Sequence, residues 1–376
     1  MRSTILLALL MPLGVATSGA QTAAPLPAVT SGGASSGATQ ALRHGHGVRA
    51  ADDAREAAVL AKCKSPPSPT GGPGAGVRAP VAAPPTRHEY TVTEIPGVIA
   101  GGQQWKSLWT EHGLEANTLT FFIADGIIAA ADGGILIPQA EKSQVIELTA
   151  AGKVSVVYRN TRTGGALSRS RSGVLFIAQR ELNPALAELA PKRRLLADRY
   201  QGEPLDCLGV GLNDLTADST GGVYFTMGGL YYADSHGTIT RYGENLRTNG
   251  LVLSPDEHVL YVTNGPKLMA FDVQPDGSLS GQRELVTLPD GPGDGSTIDQ
   301  DGRIYVSGGT GGVRVVSPDG KYLGTIPTPL GVQSVTFGGP DKRTLFALMS
   351  VPSEGRTGAE IIAIPMLAQG YRGRAK

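Results

Sequence analysis

The amino-acid sequence predicts an all-β fold, a six-bladed β-propeller, and three observations carry that prediction. First, a turn followed by an apolar run recurs six times: Asp132-Gly133 with GILI, Ser172-Gly173 with GVLFIA, Thr220-Gly221 with GVYFT, Asp256-Glu257 with HVLYVT, Asp301-Gly302 with RIYVS and Lys342-Arg343 with TLFAL. The period is roughly 40 residues, the length of a four-stranded blade. Second, the pairs Ala151-Gly152, Asp276-Gly277 and Asp319-Gly320 punctuate the outer strands, where glycine takes positive φ without steric cost and closes a tight hairpin. Third, counting back eight residues from the second residue of each turn lands on Asp125, Gly165, Asn213, Asn249, Asp294 and Val335, or on Ser334 if the last count starts at Lys342. Four of these six are Asp or Asn, and equal offsets in equivalent repeats place them at one height on the innermost strands.

In chain order, Met1 to Ala20 joins Arg2 to the apolar run ILLALLMPLGVAT and ends on Ser18-Gly19-Ala20. That is the outline of a secretory signal peptide, interrupted by Pro12 and too short for a comfortable span. A secreted or periplasmic protein with no membrane span after cleavage is expected. Residues 21–87 are rich in Ala, Gly, Pro, Ser and Thr, with too few apolar side chains to offset the entropy of ordering, and predict a flexible linker. Within it, Ala51 to Lys64 has the composition of a transient helix. The propeller is expected over 88–376. EYTVTEIPGVIA, beginning at Glu89, reads as a strand by its β-branched alternation and is expected to complete the last blade, removing an exposed sheet edge. Trp105 and Trp109 follow and are expected to pack on the ring. The second repeat is irregular, broken by Asn183-Pro184 and by Pro191-Lys192-Arg193-Arg194, a charge cluster suited to a solvated loop.

Lys plus Arg number 33 and Asp plus Glu number 33, so the formal net charge is zero and nucleic acid is not an expected partner. The two cysteines, Cys63 and Cys207, either pair in an oxidising compartment or are unrelated thiols; spacing does not decide. No Cys-x-x-Cys or His-x-x-x-His spacing suggests zinc, and His44 and His46 sit in the Gly-rich tail. Neither a nucleophile elbow, nor a P-loop, nor a dinucleotide fingerprint in its required context is present.

At the axis, Asp125, Asn213, Asn249 and Asp294 offer two carboxylates and two amide carbonyls. Hard oxygen donors of this kind suit one divalent cation, Ca²⁺ first, with Mg²⁺ or Mn²⁺ next and Zn²⁺ less natural. Singly, each residue is as well explained as a turn cap; four at one register point to a metal site.

The strings GLNDLTADSTGGVYFT, TNGLVLSPDEHVLYVTN and GDGSTIDQDGRIYVSGG resemble the signature segments of the gluconolactonase family, which includes senescence marker protein (regucalcin) and related calcium-dependent lactonases. The resemblance covers roughly residues 120–370 and implies a six-bladed propeller with one axial divalent ion held by a Glu, two Asn and an Asp. By motif the Asn residues are Asn213 and Asn249 and the Asp is Asp294. Asp125 stands for the Glu, one methylene shorter, with Glu115 as the alternative fourth ligand. The family often carries Arg two residues before the first Asn. This chain has Gly211 there, so gluconolactone does not follow as substrate. The resemblance further implies hydrolysis of a small-molecule lactone or related ester, the ion polarising the carbonyl and activating water, with Asp294 as general base. Glu181, Met227, Asn264 and Ser307, each following or ending a core strand, are expected at the substrate-binding mouth. Other outcomes are a non-catalytic propeller whose structural metal serves a binding module, and a strictosidine-synthase-like or paraoxonase-like activity on a bulkier substrate.

Overall fold

The structure, a computed structural model, describes residues 53–65, 86–111, 124–308, 311–353 and 356–376. The expected signal peptide, most of the expected linker, and Glu115 lie outside the described residues.

Six four-stranded antiparallel sheets form the blades. Their innermost strands are Ile128–Ala129, Ala166–Arg169, Leu215–Ala217, Thr248–Leu253, Ser296–Ile298 and Val332–Gly338, for blades one to six. Each of these strands neighbours the next, and the sixth neighbours the first, so the ring is closed. The apolar runs exist because both faces of a blade are covered. In blade one, Ile135 and Ile137 face blade six, while Leu136 between them faces blade two. Six apolar clusters result, one between each pair of neighbouring blades. Burying one Val, Leu or Ile side chain contributes about 1.5–3 kcal/mol, so these wedges are the main source of cohesion.

The turns also fix the register. Positive φ occurs at Gly133, Gly173, Gly221, Glu257, Gly302 and Lys342. Lys342, not Arg343, therefore occupies the left-handed position in the sixth repeat, and the sixth inner-strand position is Ser334 rather than Val335. The hairpin glycines Gly152, Gly277 and Gly320 have positive φ as expected.

The last blade is closed by the N-terminal side of the ring, but through a different segment from the one anticipated. Lys106–Glu111 pairs antiparallel with Arg356–Pro365, carrying Trp109 against the cluster between blades six and one. EYTVTEIPGVIA makes only an isolated Ile95–Ile99 bridge around Gly97, and packs Val92, Ile95, Val98 and Ile99 between blades five and six. Its β-branched residues serve burial rather than a ladder.

In blade two, Asn183-Pro184 and Pro191–Arg193 are the turns between strands Leu175–Gln179, Ala185–Ala190 and Arg194–Ala197. A short ribbon, Arg199–Tyr200 with Glu203–Pro204, and a 3₁₀ turn, Leu205–Leu208, then lead to blade three. Here Cys207 is joined to Cys63, with Cα atoms 5.5 Å apart. The helix α1, Asp53–Leu60, precedes Cys63 and lies against that 3₁₀ turn. The cysteines thus pair, and the predicted transient helix is a docked one.

After the last blade the chain forms a strap, residues 366–376, beneath the inner strands. Tyr371 N donates to Ile298 O (3.1 Å), Ala375 N to Arg169 O (3.1 Å), and the Lys376 ammonium to Leu215 O (2.7 Å). The Arg374 guanidinium donates to the carbonyls of Leu253 and Ser254 and pairs with Glu257 at 3.3 Å. Blades five, two, three and four are thereby tied across the axis. Lys342 holds the strap by donating to Tyr371 O (2.9 Å) and Arg374 O (3.2 Å).

Burial, helped by the Arg372 and Arg374 charges, pushes the Lys342 amine down to about 8 from 10.5. Between those two values the unfolded chain binds the proton that the folded chain has released, so the contribution of Lys342 to stability rises with pH across that window and is flat below it. The melting temperature of wild type minus that of Lys342→Met is expected to increase from pH 8 to pH 10.5. A flat difference over that range would show the ammonium to be solvated.

Candidate functional site

The Asp and Asn residues at the counted register stand at the starts of inner strands, at the end of the ring away from the strap. Asn213, which is buried, donates from Nδ2 to Asn249 Oδ1 at 2.7 Å. Asp125 accepts from its neighbour Gly126 N at Oδ1 (2.8 Å) and from Arg180 Nη1 at Oδ2 (2.7 Å). Arg180 Nη2 also donates to Asn213 O, joining blade one to blade three. Asp294 is pushed well above the usual carboxylate range by burial, then by the nearby charges of Asp125 and Asp214, with Arg180 opposing. The structure brings all four residues into one cluster. Close backbone approach makes this feasible: a Cβ on Gly250 would lie 2.1 Å from Asp294 O, so only glycine fits behind Asn249.

A repeated brace holds these positions. The Thr226 hydroxyl donates to Asn249 O (2.6 Å). Thr263 Oγ1 lies 3.1 Å from Gly250 O and 3.5 Å from Asp294 O. The Ser307 hydroxyl lies 2.7 Å from the carbonyl oxygens of both Gly295 and Gln333, one of which takes its proton. These hydroxyls sit at or beside the end of a blade's second strand: Thr226 and Ser307 reach the first strand of the following blade, while Thr263 bonds first within its own blade and reaches the chain before the next blade's first strand at 3.5 Å. In blade two the corresponding residue is Ala178, whose carbonyl accepts from Gly165 N (3.1 Å) as that of Thr226 does from Asn213 N (2.9 Å). Gly165 has no side chain to offer the axis and Ala178 no hydroxyl; Arg180 fills both places.

Below the cluster, Asp214 pairs with the Lys376 ammonium and accepts at Oδ2 from Leu251 N (3.3 Å). Burial pushes the Lys376 amine down, and the Asp214 charge partly restores it.

As a cation site the arrangement has the right chemistry. All its donors are oxygens, and Asp294, whose carboxyl is pushed up first by burial and then by the Asp125 and Asp214 charges, is a group whose ionised form a cation would favour. Among the described residues no three His, Cys, Asp or Glu side chains gather at ligating separation, so an ion here would rest on the amide oxygens of Asn213 and Asn249 as much as on carboxylates.

The four residues expected at the mouth are dispersed. Glu181 pairs with Arg162 (2.6 Å), which also donates to the carbonyls of Leu182 and Asn183. Met227 is buried between blades two and three. Asn264 Oδ1 accepts from Arg247 N (2.7 Å), and the residue lines an open surface pocket with Lys267, Met269 and Glu284. Ser307 is buried in the brace. Sequence reasoning missed Arg180, Thr226, Thr263 and Lys376. The gap at Gly165 was the available signal for Arg180, because a ring of polar positions with one glycine leaves room for a side chain from elsewhere.

Residues 123–350 match the protein family described as SMP-30/Gluconolactonase/LRE-like region. A gluconolactonase of Zymomonas mobilis is 28% identical over 170 residues, which are 36% of this chain and 45% of that protein. The chain spans less than half the length of the first curated relatives it matches. Among solved structures, a gluconolactonase from Xanthomonas campestris superposes with a TM-score of 0.58 at 23% identity, over 76% of this chain and 95% of that one. Regucalcin from Agrobacterium tumefaciens, described as a calcium-binding protein, gives 0.52 at 20%, over 70% and 97%. At these identities the structural likeness shows a common fold.

Proposed function

The chain belongs to the SMP-30/gluconolactonase/LRE-like family, and from that premise we propose that it is a hydrolase of small-molecule lactones or related esters acting at the axial cluster. The observation that carries this is the gathering of Asp125, Asn213, Asn249 and the buried Asp294, oxygen donors only, at one end of the ring. The relatives named gluconolactonase and lactonase support the reaction class.

A divalent cation held by those four side chains, Ca²⁺ first and Mg²⁺, Mn²⁺ or Zn²⁺ after it, would polarise the ester carbonyl and acidify a bound water. Asp294 is the proposed general base: its carboxylate takes the proton of the attacking water as the new C–O bond forms. When the ring C–O bond breaks, that proton passes to the departing alkoxide, and the product is a hydroxy acid. Arg180 keeps Asp125 in place through its hydrogen bond to Oδ2. Of the four residues expected at the mouth, Glu181 and Asn264 are kept as proposed substrate-binding residues, while Met227 and Ser307 are buried and serve the packing and bracing of the ring. Export to a periplasm or beyond is proposed from the Met1 to Ala20 leader, with the Cys63–Cys207 bridge in support. Among the described residues no helix is long and apolar enough to cross a membrane.

The test is hydrolysis of a panel from gluconolactone to hydrophobic γ-lactones by the mature protein, after chelation and after return of Ca²⁺, Mg²⁺, Mn²⁺ or Zn²⁺. Activity lost on chelation and restored by one of these ions is expected. A folded, metal-binding protein that hydrolyses none of them would instead be a propeller with a structural metal that serves a binding module.

A further inference from the structure

We propose that Arg180 is a resident counter-charge of the axial cluster and sets how tightly that cluster holds a divalent cation. This rests on the assignment of Asp125, Asn213, Asn249 and Asp294 as the cation's donors. The guanidinium is 2% exposed and its partner Asp125 13%. It cannot swing away without leaving a void, because it lies directly on Gly165: a Cβ there would be 2.1 Å from Nη1 and 2.2 Å from Cζ. Its fork is committed to Asp125 Oδ2 and Asn213 O, both on residues of the donor set. A second cation, the Lys376 ammonium, stands beneath on Asp214.

The charge balance follows. Asp294 feels the charges of Asp125, Asp214 and Arg180, and Lys376 those of Asp214, Asp125 and Arg180, while Arg180 is hydrogen-bonded to Asp125 and Lys376 is paired with Asp214. Three carboxylates against two fixed cations leave one negative charge for an incoming ion to meet. Two carboxylates without Arg180 would neutralise a divalent ion fully; with it, the ion must enter beside a like charge that cannot move. In the low-dielectric channel that repulsion is poorly screened. The consequence is a weak, exchangeable ion, the affinity of the site being set by a residue that does not ligate. Blade two, which has Gly165 in place of a polar inner-strand side chain and Ala178 in place of a hydroxyl, is the source of this charge.

The experiment is calorimetric titration of chelated full-length protein with CaCl₂ and, separately, MnCl₂, for wild type, Arg180→Gln, Arg180→Lys and Lys376→Met, with melting curves for each. Arg180→Gln, which can still donate a hydrogen bond to Asp125, is expected to bind at least about tenfold more tightly than wild type. Arg180→Lys, which keeps the charge but not the fork, should stay near wild type. Lys376→Met removes the other cation without touching the brace and should also tighten binding, by less; it decides the matter if Arg180→Gln does not fold. Binding by Arg180→Gln or Lys376→Met that is no tighter than wild type, in proteins with wild-type melting, would make these cations scaffold only and overturn the proposal. Equal tightening in Arg180→Lys would assign the effect to geometry and overturn it too. If wild type binds neither ion while Arg180→Gln binds, the counter-charge proposal stands. If none of the four binds, the cation assignment itself falls, and this proposal with it.

Discussion

Asp294→Ala protein is expected to lose lactone hydrolysis by between about 10²- and 10⁴-fold, the range in which a positioned acid or base contributes. Two functions are removed together in that variant, a cation donor and a proton acceptor, and Asp294→Asn separates them. The amide keeps an oxygen for the ion but cannot take a proton, so cation affinity should change only several-fold while turnover falls nearly as far as in Asp294→Ala. Stability should move little or upward in both, because a carboxylate whose pKa is raised by burial and by the Asp125 and Asp214 charges is held in the fold at a cost. An Asp294→Asn protein with its metal and full turnover would remove Asp294 from the role of base. A collapse in melting temperature would reveal a structural task that the cluster's hydrogen bonds do not show.

The second large effect is on stability. The Cys63–Cys207 bridge spans a sequence separation of 144 residues, and closing so long a loop restricts the unfolded chain strongly. Cys63→Ser with Cys207→Ser is expected to lose about 2–5 kcal/mol, the usual cost of removing a native disulfide. For a domain of this size that is a fall in melting temperature of roughly 5 to 10 °C. Dithiothreitol treatment of the wild type should reproduce it. The bridge has a local task as well, since α1 touches the ring chiefly at the 3₁₀ turn that carries Cys207. Limited proteolysis near Cys63 should accelerate in the double variant. Faster proteolysis with an unmoved melting temperature would mean that the bridge tethers α1 without constraining the unfolding of the ring.

The ring was legible in the sequence because its repeats answer to local physics. Each strand is covered on both faces, which enforces continuous apolar runs, and each turn needs a left-handed residue, which enforces Gly, or Glu257 and Lys342 where Gly is missing. The Lys342-Arg343 ambiguity arose where no glycine marks the turn, and backbone φ resolves it in favour of Lys342. The positions of Asp125, Asn213, Asn249 and Asp294 followed from the same count. What failed was whatever depends on distant partners. EYTVTEIPGVIA has better strand propensity than KSLWTE, yet KSLWTE finds the free edge beside Arg356–Pro365 and wins the pairing. Arg374 and Lys376 look like a solvated basic end, and their burial is decided by carbonyls more than 100 residues away in sequence. Arg180 hides two positions past the brace residue of its own blade, so no fixed offset finds it.

The strap has a consequence for traffic. A ring of blades is a tube, open at both ends unless something seals it. Here Tyr371, Arg374, Ala375 and Lys376 cross one end and fasten to the inner strands of blades two to five. Under the proposed function the tube would serve as a cul-de-sac with its doorway on the side of the Asp and Asn cluster. Reactant and product must then use that doorway in turn, so no second molecule can push the first one through. Under the proposed function, the hydroxy acid would leave past Asp125 and Asp294 by the way its lactone came in. Loosening the strap would turn the cul-de-sac into a corridor, with water entering beneath the reacting centre.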